Sequence, residues 1–244
     1  MSWSAQNRTV HRTNLQDKIF DILVIGGGIN GAGVARDAAL RGLSVLMVDR
    51  GDLASGTSSA SSRLIHGGLR YLEHYKIGLV HESVVERWKL LQLAPHLVRP
   101  LPFLFPVYKG EKPGLGLISM GTFAYGMLSA FRTPGPRRTH RGPDSLRELE
   151  PLLNKENLVG AAQYYDCSTN DARLTLESAM DAAQNGANIW TYCEVTKTRC
   201  VDDGVEVDLR DMRDQWTGTA RARCVVVAAG PWTDTLLKTT ETDE

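Results

Sequence analysis

Apolar and polar positions along the chain alternate between strand-like and helix-like periods. From Asp21 to Ile25 the residues are largely β-branched and apolar. Glycines follow, and Ile29 to Arg41 carries Ala32, Ala35, Ala38 and Ala39 on a helix-compatible spacing. This predicts a strand, a tight turn and a helix. Gly42 stands where a helix C-cap belongs, and Leu43 to Val48 forms a second apolar run that ends in Asp49. The result is a βαβ unit of about 30 residues. Its crossover is right-handed, so its two strands lie parallel in one sheet.

Further along, His81 to Leu93 has helical spacing, with Val84, Val85, Trp88, Leu91 and Leu93 as apolar members, before Pro95 and Pro100 break it. Leu115 to Phe131 carries no charge but contains glycines and serines, and it falls short of the roughly 20 apolar residues of a membrane span. A buried or interfacial helix is expected there. Arg132, Arg137, Arg138 and Arg141 follow it, a combination that suits anionic lipid headgroups. The competing reading is a core helix followed by a solvated turn around Pro134, Gly135 and Pro136. Asn170 or Asp171 can N-cap a helix running to about Asn185, with Leu174, Ala179, Met180 and Ala183 inward and Gly186 closing it. Asn188 to Cys193, Glu194 to Val201, Val205 to Arg210 and Cys224 to Ala229 read as strands.

Composition narrows the class without changing this outline. A chain of 244 residues that is 42% hydrophobic and 23% charged is expected to form a folded α/β or α+β body. Its 28 basic and 28 acidic residues cancel, so no nucleic-acid partner is expected. Cys167, Cys193, Cys200 and Cys224 form no C-x-x-C pair and have no accompanying histidine spacing. They argue for reduced cytoplasmic thiols, with no metal and no redox dithiol. Met1 to Phe20 is polar and lacks an apolar stretch long enough for a signal peptide, so export is not expected.

The chemistry starts at Gly26-Gly27-Gly28-Ile29-Asn30-Gly31, where Gly26, Gly28 and Gly31 occupy dinucleotide-binding positions between a predicted strand and a predicted helix. Gly26 permits the tight turn, Gly28 lets the backbone approach a pyrophosphate, and Gly31 lets helix and sheet pack closely. The helix start supplies amide donors and the positive end of the helix dipole. Asp49 closes the second strand about 20 residues on, where a carboxylate accepts from ribose hydroxyls and repels a 2′-phosphate. Arg50 is adjacent and pulls the other way. This motif does not separate FAD from NAD.

The segment Thr57-Ser58-Ser59-Ala60-Ser61-Ser62-Arg63-Leu64-Ile65-His66-Gly67-Gly68-Leu69-Arg70-Tyr71 reads by composition as a flexible linker. By motif it resembles the FAD-dependent, aerobic-type glycerol-3-phosphate dehydrogenase family, in its N-terminal part. The resemblance continues through Ala94-Pro95-His96, Asp171-Ala172-Arg173-Leu174 and Ala229-Gly230-Pro231-Trp232. It implies a Rossmann-like FAD-binding domain with a parallel sheet, plus part of an α+β substrate-binding domain. The implied layout is a polar tail at 1–20, an FAD-binding βαβ and flavin-contacting segment at 21–98, and an inserted, substrate-side or cap segment at 99–165. The remainder of the FAD-binding domain follows at 166–237, then a tail at 238–244. The family's C-terminal half, with much of its substrate sheet, would lie beyond Glu244.

For the cofactor, FAD, the implied contacts are Gly26, Gly28, Asn30, Gly31, Asp49, Arg50, Thr57, Ser58, Ser59, Ser61, Ser62, Arg63, Leu64 and His66. Main-chain contacts are implied at Val195 and Gly230. Short hydroxyls suit donors placed close to the backbone. Arg63 stands where relatives often have lysine, and Asp49 where many have glutamate. His66 is the candidate base for the substrate hydroxyl proton, and Arg70 is the candidate substrate contact, its guanidinium offering several donors to a phosphorylated triol.

The implied reaction is oxidation of sn-glycerol 3-phosphate to dihydroxyacetone phosphate, with electrons passed to a quinone. The implied setting is the cytoplasm, on the inner face of the cell membrane, with a peripheral membrane contact and a homodimer. A glycerol-3-phosphate oxidase using oxygen shares these motifs. A non-catalytic FAD-binding module is the alternative from another class.

Overall fold

In the computed structural model the described residues are 12, 13, 15, 18–128 and 132–239, and the side chains of Arg70, Glu73 and Thr239 lie outside the description. Most of the 1–20 tail, the end of the 238–244 tail and the last residues of the uncharged 115–131 segment therefore fall outside it. In chain order the first elements are β1 (Ile19–Ile25), α1 (Ile29–Leu40), β2 (Val45–Asp49), β3 (Leu64–Ile65), α2 (Ile77–Leu93), β4 (Arg99–Tyr108), α3 (Leu115–Leu128) and β5 (Arg138–Arg141). They are followed by β6 (Leu158–Ser168), α4 (Asp171–Gln184), β7 (Asn188–Thr191), β8 (Cys193–Val201), β9 (Gly204–Asp211), β10 (Thr217–Val227) and α5 (Thr233–Thr239).

The chain forms two compact units, 1–61 with 171–244, and 62–170. These limits fall at 61/62 and 170/171, where the sequence suggested divisions at 98/99 and 165/166. Leu64 and Ile65 pair antiparallel with Ser168 and Cys167, so the segment after Ser61 belongs to the second sheet.

The first unit is built on a six-stranded sheet of order β7-β2-β1-β10-β9-β8. As the βαβ pattern requires, β7, β2, β1 and β10 run parallel, and β9 and β8 add an antiparallel edge. Alternation along β1 and β2 divides the core between the two faces. Leu23, Ile25, Leu46 and Val48 pack in one cluster with Trp190, while Val24, Val45 and Met47 pack in another. The second face is covered by Ala32, Ala35, Ala38 and Ala39 of α1, together with Ala179, Ala182 and Ala183 of α4. Small side chains let these two helices and the sheet approach closely.

Three sequence expectations shift here. The predicted strand Asn188 to Cys193 breaks at Tyr192, which takes φ +55° where the chain turns from β7 into the antiparallel edge. Met180 of α4 is exposed, and Thr175 and Ala182 take the inward positions, because the buried stripe follows Thr175, Ala179 and Ala182. The last strand begins at Thr217 rather than Cys224, extended by pairing with β9.

In the second unit β6 is central, with β4 on one side and β3 and β5 on the other. Strand periodicity in 99–108 was masked by Pro100, Pro102 and Pro106. These share one parity, the one whose nitrogens point away from β6, since a prolyl nitrogen cannot donate to the ladder. The outer edge of β4 is thereby protected against pairing with a further strand. Helices α2 and α3 meet through Val80, Val84 and Tyr125. Helix α2 starts at Ile77, ahead of the predicted His81, the first turn being weakened as a sequence signal by Gly78.

Candidate functional site

In the first unit the candidate cofactor residues gather at the carboxyl ends of β1 and β2. Gly26 takes φ +117°, and a Cβ on it would lie 2.5 Å from the carbonyl oxygen of Ala228. A Cβ on Gly31 would lie 1.8 Å from the carbonyl oxygen of Gly26, so only glycine lets α1 start this close to the turn. Gly28 is the extended N-cap residue of α1, and the first intrahelical bond runs from Ala32 N–H to Gly28 O. The amides ahead of that bond, at Asn30 and Gly31, point out of the helix start, the arrangement that receives an anion.

Asp49 sits beside this turn, with its carboxylate engaged on both oxygens. Oδ2 accepts from Gly27 N–H at 2.6 Å, and Oδ1 accepts from Gly51 N–H at 2.7 Å. The acid expected to hold a ribose therefore first braces the glycine turn against the loop after β2, while each oxygen keeps a second lone pair for a hydroxyl. Arg50 is exposed.

The hydroxyl-rich stretch is ordered against this turn. Thr57–Ser59 forms a single 3-10 turn, and Ser58 Oγ accepts from Ile29 N–H at 2.9 Å, at the start of α1. Ser59 Oγ donates to Gly56 O at 3.0 Å, and Ser61 Oγ donates to the carboxylate of Asp171. Thr57 is exposed. Val195 is buried in β8 within the same core cluster as Val48, and Gly230 follows β10 with φ +56°. The first unit thus brings Gly26, Gly28, Asn30, Gly31, Asp49 and Ser58 together around one turn, while the Ser59 and Ser61 hydroxyls are engaged with Gly56 and Asp171.

Ser62, Arg63, Leu64 and His66 lie in the second unit. Ser62 and Arg63 are exposed, Arg63 at φ +58°, with its carbonyl accepting from Thr169 N–H. Leu64 and His66 line a cavity of about 510 Å³ together with Tyr71, His74, Phe103, Tyr164 and Asp166. Arg70 lies in the 3-10 segment Leu69–His74 beside that cavity wall, its side chain outside the description.

Asp166 of that wall anchors a polar cluster that sequence reasoning missed. The guanidinium of Arg87 donates to Asp166 Oδ1 and, at 2.8 Å, to Tyr125 Oη. Tyr125 Oη donates to the same Asp166 oxygen at 2.7 Å, and Gly67 N–H, next to His66, reaches it at 3.2 Å. Burial, and next the charge of Asp166, push the Tyr164 phenol up to about 12, and the same two causes raise Tyr125. Burial also raises the Cys167 thiol. These residues come from α2, α3 and β6, separated by long stretches of chain. The one local signal was a lone acid, Asp166, between Tyr165 and Cys167 in an otherwise uncharged run. Among the described residues no cluster suited to a metal ion is present.

The comparisons agree with this geometry. Residues 21–243 match the family described as FAD dependent oxidoreductase. The chain is 45% identical over 213 residues to D-erythritol 1-phosphate dehydrogenase of Brucella abortus, a match covering 87% of this chain and 41% of that protein. It is 44% identical over 231 residues to glycerol-3-phosphate dehydrogenase 2 of Mycobacterium tuberculosis, covering 93% of this chain and 39% of that one. Among solved structures, glycerol-3-phosphate dehydrogenase from Bacillus halodurans complexed with FAD superposes with a TM-score of 0.74 at 34% identity. That match covers 97% of this chain and 39% of the other. L-proline dehydrogenase from P. horikoshii, at 21% identity and a TM-score of 0.67, shares the fold. The chain spans about 40% of the length of the curated relatives it matches. With its glycine turn, its strand order and this match over nearly all its length, the chain belongs to the FAD-dependent oxidoreductase family.

Proposed function

We propose that this chain holds FAD and serves the oxidation of a phosphorylated polyol, sn-glycerol 3-phosphate to dihydroxyacetone phosphate, with electrons passed on to a quinone. The observation that carries the reading is the β1–α1 turn, where Gly31 has no room for a Cβ and α1 presents its first amides beside Asp49 and Ser58. Those amides and the Ser58 hydroxyl would hold the pyrophosphate, and Asp49 the ribose. Bound FAD supplies the hydride acceptor for the carbinol carbon. The imidazole of His66 takes the hydroxyl proton, and Arg70 holds the phosphate.

Two relatives with different phosphorylated polyols in their names, at 45% and 44% identity, support the substrate class. The test is an FAD titration of the chain, followed by dye reduction by the protein spanning its relatives' full length, with glycerol 3-phosphate and D-erythritol 1-phosphate compared. A chain that takes up no FAD refutes the reading, and hydrogen peroxide produced in place of quinone reduction replaces the dehydrogenase with an oxidase.

The reading includes a peripheral contact with the inner face of the cell membrane. Helix α3 leaves Leu117, Met120, Phe123 and Met127 exposed, with the Arg137 guanidinium 4.9 Å from the centre of the Phe123 ring. An apolar face with a cationic rim supports docking on anionic lipid. Among the described residues no helix is long and apolar enough to cross a membrane. Sedimentation with anionic but not neutral vesicles checks the contact, and analytical ultracentrifugation checks the expected homodimer.

A further inference from the structure

The loop from Gly51 to Ser61 carries most of the hydroxyls at the turn, yet its only regular structure is the 3-10 turn Thr57–Ser59. Two side chains from outside the loop touch it. Trp232 follows β10 closely, since Ala228 N–H extends the β1–β10 ladder to Ile25 O and Trp232 N–H closes one tight turn on Ala229 O. Its indole lies against Gly56 so closely that a Cβ there would be 2.8 Å from Cζ3 and 3.0 Å from Cη2. Trp232 is 52% exposed, so the contact does not serve to fill the core. At the other end of the loop the first residue of α4, Asp171, accepts from Ser61 Oγ, and α4 is itself packed on α1. Between these two contacts Ser58 reaches Ile29 N–H at the start of α1.

We infer that, in a chain that binds FAD as proposed above, Trp232 and Asp171 are positioning residues. Neither has to touch the cofactor. Together they hold the 57–61 hydroxyls over the α1 amides before the ligand arrives, so that binding does not have to bear the entropy of ordering the loop. Trp232 acts through Gly56, and Asp171 through Ser61.

The test is FAD titration of the parent chain and of Trp232→Ala, Trp232→Phe and Asp171→Ala, with melting of each ligand-free chain and hydrogen exchange of amides 57–61 measured alongside. Both Trp232→Ala and Asp171→Ala are expected to raise the dissociation constant by about tenfold. Amides 57–61 are expected to exchange faster in both, with melting nearly unchanged and with most of the affinity restored in Trp232→Phe. Parent-like exchange in Trp232→Ala and Asp171→Ala overturns the inference, as does an affinity loss that only tracks a fall in melting temperature. A parent chain that binds no FAD refutes the cofactor reading instead, and the exchange rates still decide whether the loop is held by these two side chains.

Discussion

Replacing Arg87 by methionine isolates a carboxylate at the centre of the second unit. The Arg87 and Asp166 side chains are 1% and 3% exposed, and Arg87 Nη2 has no hydrogen-bond partner among the described residues. A half-satisfied buried pair contributes little on its own, because desolvation offsets most of the attraction. Breaking it is another matter, since removing one partner of a buried pair costs about 3 to 5 kcal/mol. Here the low end is expected. Asp166 keeps the Tyr125 hydroxyl at 2.7 Å and Gly67 N–H at 3.2 Å, and methionine fills most of the arginine stem's volume. The expected loss is about 3 kcal/mol, on the order of a hundredfold in the unfolding equilibrium. Adding Asp166→Asn to Arg87→Met removes the stranded charge while keeping an acceptor for Tyr125 and Gly67. The double variant should therefore be more stable than Arg87→Met alone, with a coupling above about 1 kcal/mol. Urea unfolding gives the free energies, and hydrogen exchange in β6 assigns the loss to the second unit. A cost below about 1 kcal/mol for Arg87→Met, or strict additivity in the cycle, would refute the reasoning.

Gly31→Ala forces a methyl to within 1.8 Å of the Gly26 carbonyl, so α1 must shift off the alanine-packed face, at an expected cost of about 3 kcal/mol with loss of FAD uptake. Parent-like melting and binding in that variant would count against the tight-turn argument. On the alkaline side, unfolded tyrosine ionises near 10.0, while folded Tyr164 keeps its proton to about 12 and Tyr125 is raised too. Stability is therefore present below the unfolded value and is lost as the pH rises from about 10 to about 12, with part of the phenolate absorbance appearing only on unfolding. Full phenolate absorbance near pH 10 in a still-folded chain contradicts this. On the acid side, Asp21 is lowered by the Ser44 backbone N–H and then its hydroxyl, and Asp208 is lowered by Arg199, both from the ordinary 3.8. Their contribution is present above the unfolded value and is lost as the pH falls through the lowered folded values, so a melting temperature unchanged below about pH 4 would rule it out.

The glycine turn, the βαβ unit, its parallel pairing and the acid that closes β2 were all legible in the amino-acid order. They depend on local backbone geometry and on periods of a few residues, and a turn that must bind close to backbone leaves glycines in fixed places. Other features depended on residues far apart in the chain. That Asp49 braces Gly27 and Gly51 was decided by where the loop after β2 lands. The join of 62–65 to the second sheet was decided by pairing across about a hundred positions. The same holds for the Arg87–Tyr125–Asp166 cluster behind His66 and for the Trp232 contact with Gly56. A buried arginine on α2 looks in sequence like any helical surface arginine, and the prolines of β4 look like breakers until the strand beside them shows which nitrogens face outward. Hydrophobic periodicity and turn chemistry determined which elements form, and only the packing of those elements decided which polar groups meet, because a hydrogen bond between distant residues leaves no trace in the spacing around either one.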